Sequence, residues 1–147
     1  MQPVPVYSAP VPQGPRAYRR RIRSTGPIVG LLPPAALGAL SLLLLHHNTT
    51  STARGVLGFL TAVLAAPVLL AVGVPLATGS GAYLLAVAAS VLIWLALSVV
   101  ATRRATRRPV ATWGDFWKEY AWLATGVWLG TLGALLAANL ILGRAFL

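Results

Sequence analysis

The chain has 147 residues, of which 57% are hydrophobic and only 10% charged; it carries a net charge of +10 and no cysteine. So little charge cannot cover a water-facing surface, which ordinarily holds about 25% charged residues. The lack of cysteine excludes disulfides, thiolate metal sites and cysteine nucleophiles. In a soluble protein this basicity would suggest nucleic acid. Here the arginines flank long uncharged stretches, so membrane lipids with anionic headgroups are the expected partners and nucleic acid is not.

Residues 1–25 read as a tail rich in proline and then in arginine. Pro3, Pro5, Pro10, Pro12 and Pro15 deny amide hydrogens to a helix, and Arg16, Arg19, Arg20, Arg21 and Arg23 follow. Residues 26–147 read as one helical transmembrane domain. No charge occurs from Gly26 to Leu45, from Gly55 to Thr102 or from Tyr120 to Gly143. Each blank can fill a bilayer core, which takes about 20 apolar helical residues.

The first helix is expected at about 28–46, bent near Pro34 and ending in the polar run His46-His47-Asn48. The blank from Gly55 to Thr102 would be about 72 Å long as one helix, over twice the core thickness, so it must fold back. Ala77-Thr78-Gly79-Ser80-Gly81 is the natural turn. It splits the blank into a second helix at about 56–76, kinked at Pro67, and a third at about 82–102. The fourth is expected at about 112–142, starting from a capping box of Thr112 and Asp115. The fold class is therefore an all-α bundle of four transmembrane helices.

Charge argues differently. Four crossings place five N-terminal arginines and Arg144 on one side. Arg54, the four arginines after the third helix and Lys118 lie on the other, so each side holds six. Three crossings, with 56–76 re-entrant or on the surface, gather ten basic residues on one side and leave Arg54 and Arg144 opposite. Cytoplasmic loops carry the excess of Lys and Arg. Length favours four crossings, because a non-spanning apolar segment needs protein cover. The expected location is the cell membrane, with the N-terminus cytoplasmic. The excess of arginine over lysine is the coding bias of a high-GC bacterial genome.

Candidate contact residues follow from spacing. Trp113, Phe116, Trp117 and Tyr120 share one helical face, as aromatic anchors at headgroup depth do. Arg103, Arg104, Arg107 and Arg108 crowd one side of a helix end and suit lipid phosphates or an acidic partner. Gly126, Gly130, Gly133 and Ala137 form a small-residue stripe for packing within the bundle or between chains. Asp115 and Glu119, the only acids, lie four residues apart without a histidine nearby, so no catalytic, metal or cofactor site is legible. The expected function is that of an accessory, scaffold or assembly subunit, binding another membrane protein or itself. The alternative is a small permease or channel-like protein for a neutral or lipidic substrate, using backbone freed at Pro67 and Pro75.

Overall fold

A computed structural model describes residues 14–46, 52–71 and 80–145. The proline tail up to residue 13, the His47-Asn48 pair, Pro75 and the turn expected at 77–79 fall outside them. Every regular element among the described residues is a helix: α1 (Pro15–Val29), α2 (Leu32–His46), α3 (Thr52–Ala65), α4 (Val68–Ala71), α5 (Ser80–Ala105) and α6 (Trp113–Ala145). Three helical stretches among the described residues are long and apolar enough to cross a membrane: Arg16–His46, which takes in α1 and α2, then Ser80–Ala105 and Trp113–Ile141.

Helix begins earlier than expected. Pro15 occupies the first turn after Gly14, where a missing amide hydrogen costs nothing. The arginines expected in the tail lie on α1 instead, because a helix there sets Ile22 into the core at 0% exposure. The break falls at Gly30-Leu31, ahead of the expected bend. Pro33 and Pro34 cannot donate to the carbonyls of Val29 and Gly30, so α1 closes on a Leu31 amide bond to Ile28. Helix then resumes with both prolines in its first turn.

The expected second crossing departs furthest. α3 has 14 residues, about 21 Å at 1.5 Å per residue, against a core of about 30 Å. It stops because Pro67 offers no amide hydrogen, and the four-residue α4 follows. Among the described residues, three helical stretches therefore have the length to cross.

Contacts order these elements. α1 runs antiparallel to α5, with Gly26 against Thr102 and Gly30 against Ser98. α6 runs antiparallel to α5 on another side, pairing Trp94 with Tyr120. α2 and α3 form an antiparallel hairpin, in which Gly38 faces Ala65 and the Ser41 hydroxyl donates to the Gly58 carbonyl at 2.8 Å. The core lies where α1, α5 and α6 meet, around Ile22, Trp94, Ala101, Phe116 and Tyr120.

The close approach of α1 and α5 needs small residues on both sides. A Cβ on Gly26 would stand 2.5 Å from the Thr102 hydroxyl, and one on Gly30 would overlap Ser98. Ser98 and Thr102 turn their own hydroxyls back onto the carbonyls of Trp94 and Ser98, at 2.7 and 2.8 Å. They are thus satisfied without a partner helix and leave the glycine backbone room to sit down. Gly30→Val is expected to cost about 1–3 kcal/mol or more by overpacking. Gly130→Val, with nothing within 4 Å of its Cβ position, should cost under about 0.5 kcal/mol. Unfolding of the purified chain in detergent checks both.

Candidate functional site

The interruption between α3 and α4 leaves at least four backbone groups without helical partners, one of them the Val63 carbonyl opposite Pro67. Pro67 ends the ladder, so the carbonyls of Leu64 and Ala65 and the amide of Val68 must bond elsewhere. The Trp94 indole donates to the Ala65 carbonyl at 2.7 Å, and the Trp128 indole to the Leu64 carbonyl at 3.3 Å. The Val68 amide donates to the Ser90 hydroxyl at 3.2 Å, while that hydroxyl donates to the Ala86 carbonyl. Each bond comes from one of the two long apolar helices, α5 or α6. Trp94 and Trp128 meet edge to face, their centroids 6.1 Å apart, which holds both indoles in place.

Beyond the break the chain turns back. Ala65 lies at the level of Trp94, Val68 at Ser90, and Leu69 clusters with Ala86 nearer the start of α5. Between α2, α3 and α5 this leaves a groove of about 470 Å³ lined by Pro34, Gly38, Ala65, Leu69, Val91 and Trp94 among others. Its walls are apolar save for Ser41, Ser90 and the indole.

The aromatic face expected at headgroup depth is mostly internal. Phe116 is 0% exposed and Tyr120 4%, Trp113 is half-buried against the core, and only Trp117, at 38%, reaches the surface. A helix aligns aromatic residues on one face equally well for lipid and for a bundle interior; here the neighbours α1 and α5 claim that face, so Phe116 and Tyr120 are withdrawn from any outside contact. Tyr120 Oη is the one buried side-chain polar atom without a hydrogen bond among the described residues.

The capping box forms as expected. Asp115 Oδ2 accepts from the Thr112 amide at 3.1 Å and from its hydroxyl at 2.8 Å, while the Asp115 amide donates back to Thr112 Oγ1 at 3.2 Å. Trp122, exposed at 79%, stands on the outer side of the same helix.

The four arginines divide. Arg104 faces Glu119 and Arg108 faces Asp115, each at 3.7 Å across the antiparallel α5–α6 pair. Arg103 and Arg107 are exposed and have no ion pair among the described residues. No three His, Asp or Glu side chains converge among the described residues.

The glycine stripe of α6 does not pack within the chain: nothing lies within 4 Å of a Cβ built at Gly126, Gly130 or Gly133, and Ala137 is exposed. The close-packing glycines are Gly26 and Gly30, which the sequence reading passed over. Their own four-residue spacing, matched by Ser98 and Thr102, was the available clue.

No protein-family model matches this chain, and neither do the curated proteins or the solved structures. Its chemistry therefore has to be read from its own geometry.

Trp94→Phe deletes the indole donor and leaves a cavity where the larger ring was buried. It is expected to destabilise the chain by about 2–4 kcal/mol, a hydrogen bond between helices plus the cavity. Trp128→Phe, which loses the longer bond, should cost less. Thermal unfolding in detergent measures both.

Proposed function

We propose that this protein is a non-catalytic membrane subunit that crosses the bilayer three times and offers α6 to a second membrane protein. The observation that carries the docking role is α6 itself. Only 11% of its most apolar window is buried within the chain, and its glycine stripe faces away from the core. A smooth small-residue face on a spanning helix lets another helix approach closely, and packing drives such association in lipid. Among the described residues no three His, Asp or Glu side chains converge, which suits that role.

The same geometry supports three crossings. α1–α2, α5 and α6 span, while α3–α4 enters from the His46 end, reaches the middle and returns. This brings the α1 arginines, the α5 arginines and Lys118 to one end, ten in all, leaving Arg54 and Arg144 at the other. The positive-inside rule then sets the ten-residue end in the cytoplasm. The seat is the cell membrane, with the N-terminus inside.

The groove beneath Trp94 favours the second reading, a permease-like protein for a lipidic substrate. Against it stands the state of the broken helix, whose Leu64 and Ala65 carbonyls already accept indole hydrogen bonds and so gain less from a solute.

Because the chain has no native cysteine, single cysteines report sidedness directly. Ala53→Cys and Ser80→Cys should label from the same face with an impermeant maleimide, and Val110→Cys from the opposite face. Labelling of Ala53→Cys and Ser80→Cys from opposite faces would restore four crossings. For the docking role, a photo-crosslinker at Gly126 or Gly133 in native membranes should trap a protein in stoichiometric yield. Lipid adducts alone, with a monomer on purification in mild detergent, would remove it.

A further inference from the structure

The arginines at the end of α5 are not equivalent, and their inequality points to a specific ligand. Arg104 and Arg108 turn towards α6 and share charge with Glu119 and Asp115. Arg103 and Arg107, one turn apart, turn the other way and keep their charge unshared among the described residues. The α1 contact lies on yet another side, at Ser98 and Thr102.

Below these two arginines the same face of α5 is bare. Leu92, Ala96, Val100, Arg103 and Arg107 fall within an arc of about 80° at 3.6 residues per turn. Leu92 is 65% exposed, Val100 41%, and Ala96 is exposed as well. On the opposite side Trp94, Leu97, Ala101 and Ala105 are buried. The arc is thus an apolar strip with a doubly charged head. From Arg103 to Leu92 is about 16 Å along the axis at 1.5 Å per residue, about half of a 30 Å core. That is the depth to which one acyl chain reaches from its headgroup.

We infer that this face of α5 is a seat for one anionic phospholipid, with its phosphate between Arg103 and Arg107 and its chains along Val100, Ala96 and Leu92. Arginine suits the task because its planar donors meet phosphate oxygens in pairs. The two ion pairs serve the seat indirectly: they take up both acids of the chain, so neither carboxylate competes for Arg103 and Arg107. The seat requires only that α5 spans. It is independent of the number of crossings and of what docks on α6, and its test can fail without touching either.

The test uses the full chain in a mild nonionic detergent, titrated with dioleoyl phosphatidylglycerol or dioleoyl phosphatidylcholine and followed by native mass spectrometry. The wild type should prefer phosphatidylglycerol. R103Q/R107Q should lower its affinity at least about tenfold, the scale of one lost charge-assisted hydrogen bond, and lower that for phosphatidylcholine, whose phosphate is balanced by its own choline, by less. R16Q/R20Q removes the same charge from the same end of the molecule and should lower the affinity by less than about threefold. Unchanged unfolding temperatures show that the variants fold. A tryptophan at the strip, Ala96→Trp, gives a second readout once the wild-type emission of the five native tryptophans is subtracted: brominated phosphatidylglycerol should quench the added emission at a lower mole fraction than brominated phosphatidylcholine does. Equal losses in the two double variants would reduce the effect to general positive charge and overturn the seat. So would a wild type without lipid preference, equal quenching by both lipids, or displacement of the lipid by millimolar inorganic phosphate.

Discussion

A helix interrupted inside hydrocarbon has no water to take up its freed backbone groups, and each group left unpaired there costs several kcal/mol. The interruption at Ala66-Pro67 is this chain's main structural obligation. Trp94, Trp128 and Ser90 meet much of it by bonding the carbonyls of Ala65 and Leu64 and the amide of Val68. Those side chains sit on α5 and α6, so the broken segment docks only where these two helices have already met. The placement of α4 and the apolar groove beside it both depend on that docking.

The bundle that receives the break is built by close approach. Gly26 and Gly30 let α1 settle onto Ser98 and Thr102, whose hydroxyls are bonded within α5 itself. Aromatic rings close the third side, with Phe116 and Tyr120 against Trp94. The exposed ion pairs at the end of the bundle contribute little to stability, since pairs of this kind are worth about 0–1 kcal/mol. What the α1–α5 contact does instead is gather arginines more than 80 residues apart in the chain at one end of the molecule, which gives the protein its electrical polarity.

Much of this was legible in local chemistry. The charge-free runs announced apolar helices because bilayer thickness translates directly into residue number. The capping box at Thr112 and Asp115 marked the start of α6 because it needs only neighbours within one turn. Pro67 announced an interruption, but whether it meant a kink or a return depended on which donors waited nearby. The aromatic face of α6 was misread for a related reason. Periodicity tells which residues share a side and is silent on whether lipid or protein lies against it. The same ambiguity hid Gly26 and Gly30 and drew attention to the unpartnered stripe at Gly126 and Gly130.

The amino-acid sequence by itself determined that the chain is helical, apolar and basic at defined points, since propensity, run length and charge placement are properties of short segments. Only the tertiary structure decided which glycines are contacts, which arginines are paired, and where the segment around Pro67 packs on α5. Each of these rests on a partner distant in the chain: Ser98 for Gly30, Glu119 for Arg104, Trp94 for Ala65. Pairings of that kind are set when helices meet in space, and the spacing of neighbours alone does not assign the partner.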